Sequence, residues 1–387
     1  MQYRKFGKLD WEASVLGFGG FRFPIIDGDR GKVDEQETIK LLHSAIDQGV
    51  NYIGTGYLYH HGKSEVVIGK ALHDGYREKV KIATKLLISG VRTLDDCDRY
   101  LNEQLKRLQL DYVDFYLLHS LECGEPSRDQ QCSWTRVRDL GILDWLEQKR
   151  SEGYIRYLGF SYHGNLEAFR RIIDEYDQWT MCMILYNYID ENYQAGRQGL
   201  EYAFEKGLAV TVMEPLRGGS LVKAPLEIQA LWDTASHKRT PVDWALQWIW
   251  NQPEVSVALS GMSSIEQVKQ NIASANQSGP GTLTKDELAL ISRVRDKYLE
   301  KTTVRCSECQ YCIPCPNGIK IPDIFSFYNE TIIFDDLFGG RMRYNSWLSD
   351  DETFLSCVHC GECLEKCPQQ IDIPNWLAKA HELLYEG

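Results

Sequence analysis

No apolar run among the 387 residues approaches the roughly 18 needed to cross a bilayer. Low-complexity tracts are missing too, and 43% hydrophobic with 25% charged residues is the composition of a packed globular chain. An excess of positive charge is also lacking. The 43 Lys and Arg face 55 Asp and Glu, a formal charge of −12, which argues against non-specific nucleic-acid binding. The N-terminal Met1-Gln-Tyr-Arg-Lys has no apolar core of a secretion signal, so a cytoplasmic protein is expected. A Gly-x-Gly-x-x-Gly turn after the first apolar run is absent as well. Gly17-Phe-Gly-Gly stands there instead, which counts against a doubly wound dinucleotide-binding sheet.

Cysteine is what the chain has in quantity. Eight of its 12 cysteines fall in two runs, Cys306-Ser-Glu-Cys309-Gln-Tyr-Cys312-Ile-Pro-Cys315-Pro316 and Cys357-Val-His-Cys360-Gly-Glu-Cys363-Leu-Glu-Lys-Cys367-Pro368. Three thiolates at two-residue spacing can wrap one face of an iron–sulfur cube. Zinc sites favour two separated Cys-x2-Cys pairs, and disulfides suit neither the clustering nor the missing signal sequence. The two runs resemble the bacterial two-cluster ferredoxin module, over about the last 85 residues. In that module the cysteine before proline serves the other cluster. The resemblance implies one [4Fe–4S] cluster on Cys306, Cys309, Cys312 and Cys367, and a second on Cys357, Cys360, Cys363 and Cys315. The first run has two residues rather than three before its last cysteine, a small departure from the pattern. Cluster thiolates need a reducing compartment, again pointing to the cytoplasm.

From Val15 to about Ala275, short β-rich runs alternate with amphipathic helical stretches. The runs begin at Val15, Asn51, Lys81, Tyr112, Ile155, Cys182, Ala209 and Val255. Thr38 to Asp47, Leu101 to Leu108 and Leu140 to Leu146 carry apolar residues at three- and four-residue spacing. Eight such units predict an α/β fold, a (β/α)8 TIM barrel, with an open doubly wound sheet as runner-up. Gln2 to Ser14 reads as a hairpin turning at Gly7-Lys8 and covering the barrel floor. Asn276-Gln-Ser-Gly-Pro-Gly is a turn-rich break. The expected domains are 1–295, the barrel, and 296–387, the ferredoxin-like iron–sulfur domain. The aromatic segment from Ile324 to Trp347 is expected to pack as core.

Barrels of this kind carry catalysis at the C-terminal strand ends. Tyr59 lies just past the second run, Lys85 at the end of the third and His119 at the end of the fourth. A phenol beside an ammonium can give a proton to a developing alkoxide, and an imidazole can orient a carbonyl. His60 and His61 are expected to be solvated, and Cys182 to be core.

The sequence resembles the aldo-keto reductase superfamily, in its iron–sulfur branch. The motifs are Gly49-Val-Asn-Tyr-Ile-Gly-Thr-Gly-Tyr-Leu-Tyr59, Lys63-Ser-Glu-Val-Val-Ile-Gly-Lys-Ala-Leu72, Ile82-Ala-Thr-Lys85, Tyr112-Val-Asp-Phe-Tyr-Leu-Leu-His119, Leu158-Gly-Phe-Ser161, Met213-Glu-Pro-Leu-Arg-Gly-Gly219 and Gly261-Met-Ser263. The resemblance implies NAD(P)H, a tyrosine proton donor in Tyr59 with Lys85 and His119 beside it, and cofactor contacts from Ser161, Asn187, Gly261, Ser263 and Asn271. Five positions depart from the pattern. The aspartate that pairs with the lysine falls at Gly54. The nicotinamide-binding glutamine falls at Met183, whose thioether cannot replace an amide. Tyr162 follows Ser161, and Gly261 and Gln267 stand where basic residues would meet a 2′-phosphate.

The reading that follows is an iron–sulfur oxidoreductase acting on a carbonyl-type small molecule. Its clusters exchange single electrons with a redox protein partner, and flavin is the alternative splitter of a hydride pair. The competing reading is a catalytically silent barrel serving as electron-transfer scaffold. A third keeps ordinary carbonyl reduction and gives the clusters a stapling role only.

Overall fold

The computed structural model describes residues 1–121, 133–306, 311–367 and 369–386. The chain divides into two compact units. The first holds Met1–Gly219 and Val242–Lys285, the second Ser220–Pro241 and Asp286–Gly387. The expected boundary at 295/296 lies inside the helix Lys285–Glu300, and residues 220–241 group with the tail.

In the first unit a hairpin of β1 (Tyr3–Lys5) and β2 (Glu12–Ser14) precedes eight parallel strands. These are β3 (Leu16–Gly19), β4 (Tyr52–Gly54), β5 (Lys81–Leu86), β6 (Val113–Leu121), β7 (Ile155–Tyr162), β8 (Met181–Leu185), β9 (Ala209–Met213) and β10 (Val255–Ser260). They close in the order β10-β3-β4-β5-β6-β7-β8-β9, the barrel that the alternating pattern predicts. The surrounding helices include α1 (Glu35–Asp47), α2 (Lys63–Ala71) and α3 (Leu94–Leu108). In the helix Leu166–Asp174, Ala168, Phe169, Ile172 and Ile173 form the buried stripe, and Asn165 caps the start by accepting from the Ala168 N–H at 2.9 Å.

The hairpin closes the barrel floor. Phe6 is fully buried with Tyr52, Phe115, Met181 and Met183, its ring centroid 4.9 Å from that of Phe115. Burying that ring stabilises the closed floor by roughly 1.5–3 kcal/mol. Gly7 makes the turn possible: its φ is +58°, and a Cβ there would stand 2.6 Å from the Ala209 nitrogen. Arg4 donates to the carbonyls of Gln252, Val255 and Trp250, tying the hairpin to the approach to β10.

In the second unit, the helices Ile321–Phe334, Leu337–Trp347 and Ile373–Leu384 share a core of Ile324, Phe325, Phe327, Tyr344, Leu377, Ala380 and Leu384. The expected aromatic core is therefore present for Phe325, Phe327 and Tyr344, whereas Phe338 and Trp347 are exposed. Asn329 accepts from the N–H groups of Thr303 and Val304 at 3.2 and 2.8 Å and donates to the Val304 carbonyl at 2.8 Å. This fixes the backbone just ahead of Cys306.

Candidate functional site

Tyr59 begins a short turn, Tyr59–Gly62, beyond β4, while Lys85 and His119 lie near the ends of β5 and β6. The fold brings all three together. The Lys85 ammonium, 2% exposed, donates to the Tyr59 hydroxyl at 3.0 Å and to the Thr55 carbonyl at 2.5 Å. The rings of Tyr59 and His119 meet edge to face at 6.1 Å and 73°. Both acceptors of Lys85 are neutral oxygens, so its charge is held by a phenol and a peptide dipole rather than a carboxylate.

Residues on the outer side of β5 hold Lys85 in place. Thr84 donates to the Glu65 carboxylate at 2.6 Å, and Gln104 donates to Glu65 at 2.7 Å and to the Lys85 carbonyl at 3.1 Å. Burial raises the Glu65 carboxyl, while Thr84, Gln104 and Arg107 oppose that shift. Sequence reasoning quoted Glu65 in a motif without a role and passed over Gln104. Its partners lie 39 and 19 residues away, so no local pattern marks it.

His119 is aimed by an irregularity. The β6–β7 register shifts between Leu118 and Leu121, and Ser120 has φ +53°. The Ser120 N–H is satisfied by Ser161 Oγ at 2.8 Å. Ser161, expected as a cofactor contact, thus pins the bulge beside His119. Burial, then the charges of Lys85 and His163, lower the His119 imidazole to about 3, so it is neutral at pH 7. Its buried Nδ1 has no hydrogen-bond partner among the described residues. His163 was missed from the sequence. It follows β7, and burial and Lys85 lower it in the same way.

Leu259 occupies the space above Gly54. A Cβ at Gly54 would lie 3.2 and 3.3 Å from the Leu259 methyls and 3.8 Å from the Tyr52 ring. The position of the absent carboxylate is therefore apolar. Met183 is buried in the barrel interior, 2% exposed.

The remaining expected cofactor contacts are engaged within the protein. Asn187 accepts from the N–H groups of Ile189 and Asp190, both at 3.0 Å, and donates to Asp190 at 2.9 Å. Asn271 is buried and donates to Ser260 Oγ at 3.0 Å. The Ser263 N–H donates to Gln267 Oε1 at 2.7 Å. A Cβ at Gly261 would lie 2.7 Å from the Arg22 Cβ, and Arg22 itself donates to the Gly218 carbonyl at 2.7 Å.

The expectation that His60 is solvated is corrected: it is 8% exposed and bonded on both ring nitrogens. Cys182 is core as expected, and Cys97 is buried too. Cys123 and Cys132 lie outside the described residues.

Of the eight cysteines in the tail, Cys309 lies outside the described residues. Cys306, Cys312, Cys315, Cys357, Cys363 and Cys367 pack, partly buried, against one apolar core, and Cys360 is exposed. Burial raises the Cys363 thiol, and Cys315, Cys357 and Cys360 push it the same way. Those four thiols are the set assigned to the second cluster, so the chain brings Cys315 across to the other run. A hollow is lined by Cys315, Cys357, Cys360 and Cys363, together with Cys312, Ile319, Ile321 and Leu377. Among the described residues no three His, Cys, Asp or Glu groups converge on a single ion. Four thiols lining one hollow are the donor set a cubane takes, one thiolate to each iron. Gly361, at φ +82°, turns the backbone between Cys360 and Cys363 without a side chain nearby.

The aldo/keto reductase family model matches residues 15–296, almost three quarters of the chain. The chain belongs to the aldo/keto reductase family. A second model, the 4Fe-4S dicluster domain, matches residues 305–371 of this aldo/keto reductase. L-galactose dehydrogenase of Arabidopsis thaliana is 27% identical over 307 residues, covering 72% of this chain and 89% of its own. The NADH-specific methylglyoxal reductase of Escherichia coli is 26% identical over 314 residues, covering 70% and 92%. An aldo-keto reductase structure from Bacillus halodurans superposes with TM-score 0.60 at 26% identity, covering 76% of this chain and 96% of that one. This aldo/keto reductase is therefore an oxidoreductase barrel followed in the chain by an iron–sulfur domain.

Proposed function

We propose that this aldo/keto reductase interconverts a small carbonyl compound and its alcohol, with Tyr59 as the proton donor. The observation that carries the reading is the convergence of Tyr59, Lys85 and His119 at three strand ends. Carbonyl reduction adds two electrons and one proton at carbon, as a hydride that a bound donor would supply, and a second proton at oxygen. Tyr59 gives one proton to the developing alkoxide, and the Lys85 ammonium stabilises the phenolate left behind. The neutral His119 imidazole donates a hydrogen bond to the carbonyl oxygen and orients it. Ser161 keeps that imidazole aimed through the Ser120 bulge.

Cys306, Cys309, Cys312 and Cys367 would hold one [4Fe–4S] cluster, and Cys315, Cys357, Cys360 and Cys363 the other. Bound clusters supply one-electron transfer, here to or from a redox protein in a reducing cytoplasm. The name of the E. coli relative makes NADH the first hydride donor to try, with Gly261 and Ser263 on the cofactor side and flavin as the alternative carrier.

The test uses protein purified without air, an aldehyde and ketone panel, and either NADH, NADPH or reduced methyl viologen as donor. Turnover that falls in Tyr59→Phe supports the reading. Turnover equal in both proteins removes Tyr59 as the acid. The scaffold reading is favoured by one observation, the apolar Leu259 packing where a lysine-pairing carboxylate would stand. A partner co-purifying in fixed stoichiometry, with no turnover from any donor, would establish it.

A further inference from the structure

The segment from Gly20 to Gly31 runs over the catalytic phenol. Phe21 sets its ring edge against Tyr59, centroid to centroid 4.9 Å at 74°. The Arg30 guanidinium lies 5.1 Å from the Phe21 ring. One buried side chain from the opposite loop binds this segment at two places. His60 Nε2 accepts from the Phe23 N–H at 3.2 Å, so the ring proton sits on Nδ1, which donates to the Arg30 carbonyl at 3.0 Å. The ring also stacks on Phe23 at 5.7 Å and 12°. The backbone accommodates this at a cost. His60 and His61 are consecutive non-glycine residues with φ +52°. Such a conformation persists where surrounding contacts over-determine it.

We propose that His60 is a positioning residue for catalysis. Through its two backbone bonds it holds the Gly20–Gly31 segment so that Phe21 covers the Tyr59 phenol and forms the wall against which the carbonyl substrate is placed. Tyr59 and His60 are adjacent in sequence, so a single turn presents the acid and fastens the wall around it. The neutral tautomer is the only one that serves both bonds, because an imidazolium cannot accept from the Phe23 N–H. Burial lowers His60 below the usual imidazole range and keeps it in that form. The charges of Arg30 and His61 push in the same direction, while the backbone groups of Arg30 and Phe21 beside the ring oppose it. The inference rests on the carbonyl-reduction reading for its kinetic arm only.

Three His60 variants and one Phe21 variant test it in the full-length holoprotein. His60→Ala removes both bonds, His60→Phe keeps buried bulk while removing them, and His60→Gln keeps an acceptor and a donor. Amide hydrogen exchange across residues 20–31 should accelerate about tenfold or more in His60→Ala and His60→Phe, and return towards wild type in His60→Gln. For the carbonyl substrate, KM should rise about tenfold with kcat changed less than about twofold, and that rise should vanish in a Phe21→Ala background. Exchange unchanged in both bond-deleting variants overturns the proposal. So do KM effects of His60→Phe and Phe21→Ala that simply multiply. If no carbonyl is turned over by the wild type, the functional reading fails while the exchange arm still decides whether His60 holds the segment.

Discussion

Restoring a carboxylate at position 54 tests whether the site is built around its absence. Gly54 lies on the inward face of β4 with Tyr52, and pairs in register with Ala83, two residues before Lys85. In Gly54→Asp the new Cβ meets two Leu259 methyls at 3.2 and 3.3 Å. Both distances are a few tenths of an ångström inside ordinary contact, and overpacking of that kind costs about 1–3 kcal/mol. Lys85 is already desolvated, so a carboxylate that reached it would add attraction without stripping water from the ammonium again. The clash hides that gain while Leu259 is present. Gly54→Asp alone should lower Tm by roughly 2–12 °C, at about 2–4 °C per kcal/mol for a barrel of this size. Leu259→Ala alone also destabilises, by leaving a void. In the double variant each change relieves the other, with a coupling of about 1–3 kcal/mol. Thermal unfolding of the four proteins under anaerobic handling completes the cycle. Additive losses would refute the packing argument. So would a Gly54→Asp protein as stable as wild type.

Tyr59→Phe should fold normally and lose roughly 10²- to 10⁴-fold in kcat for carbonyl reduction, measured against the same electron donor. Cys315→Ser and Cys363→Ser should each lose about half the iron and abolish the same electron-paramagnetic signal, since the proposed assignment puts both on one cluster. Removal of two different signals would break the crossed assignment. Stability should also fall on the acid side. His119 is held at about 3 in the folded chain against an ordinary 6.5, so the unfolded chain binds more protons between those values. Its contribution is complete above about pH 6.5 and is lost as pH falls towards 3, with a slope of up to about 1.4 kcal/mol per pH unit. His119→Asn should flatten that acid limb in pH-dependent unfolding.

The barrel was legible because period-2 and period-3.6 apolar patterns are local. Each strand was placed within a few residues, and the floor hairpin was expected over Gln2 to Ser14 with its turn at Gly7-Lys8. Tyr59, Lys85 and His119 were legible for the same reason, since strand ends can be counted. What escaped were relations across the ring. Leu259 closes over Gly54 from β10, and Gln104 reaches β5 from α3. His60 looked like a loop residue because burial by a segment 30 residues earlier leaves no mark in its own neighbours. Ser161 was expected as a cofactor contact from the resemblance alone; its bond to the Ser120 N–H left no mark in the sequence because the bulge it satisfies exists only once β6 and β7 are paired. The crossing of Cys315 to the second run came from a resemblance; in the fold Cys315 lines one hollow with Cys357, Cys360 and Cys363.

Asn329 has a bearing on how the tail is assembled. Its amide grips three backbone groups at Thr303 and Val304, immediately ahead of the first cysteine run. The loss of chain freedom needed to present Cys306 is thus met by the helix Ile321–Phe334 rather than by iron. The backbone leading into the first cysteine run is thereby anchored by protein contacts alone.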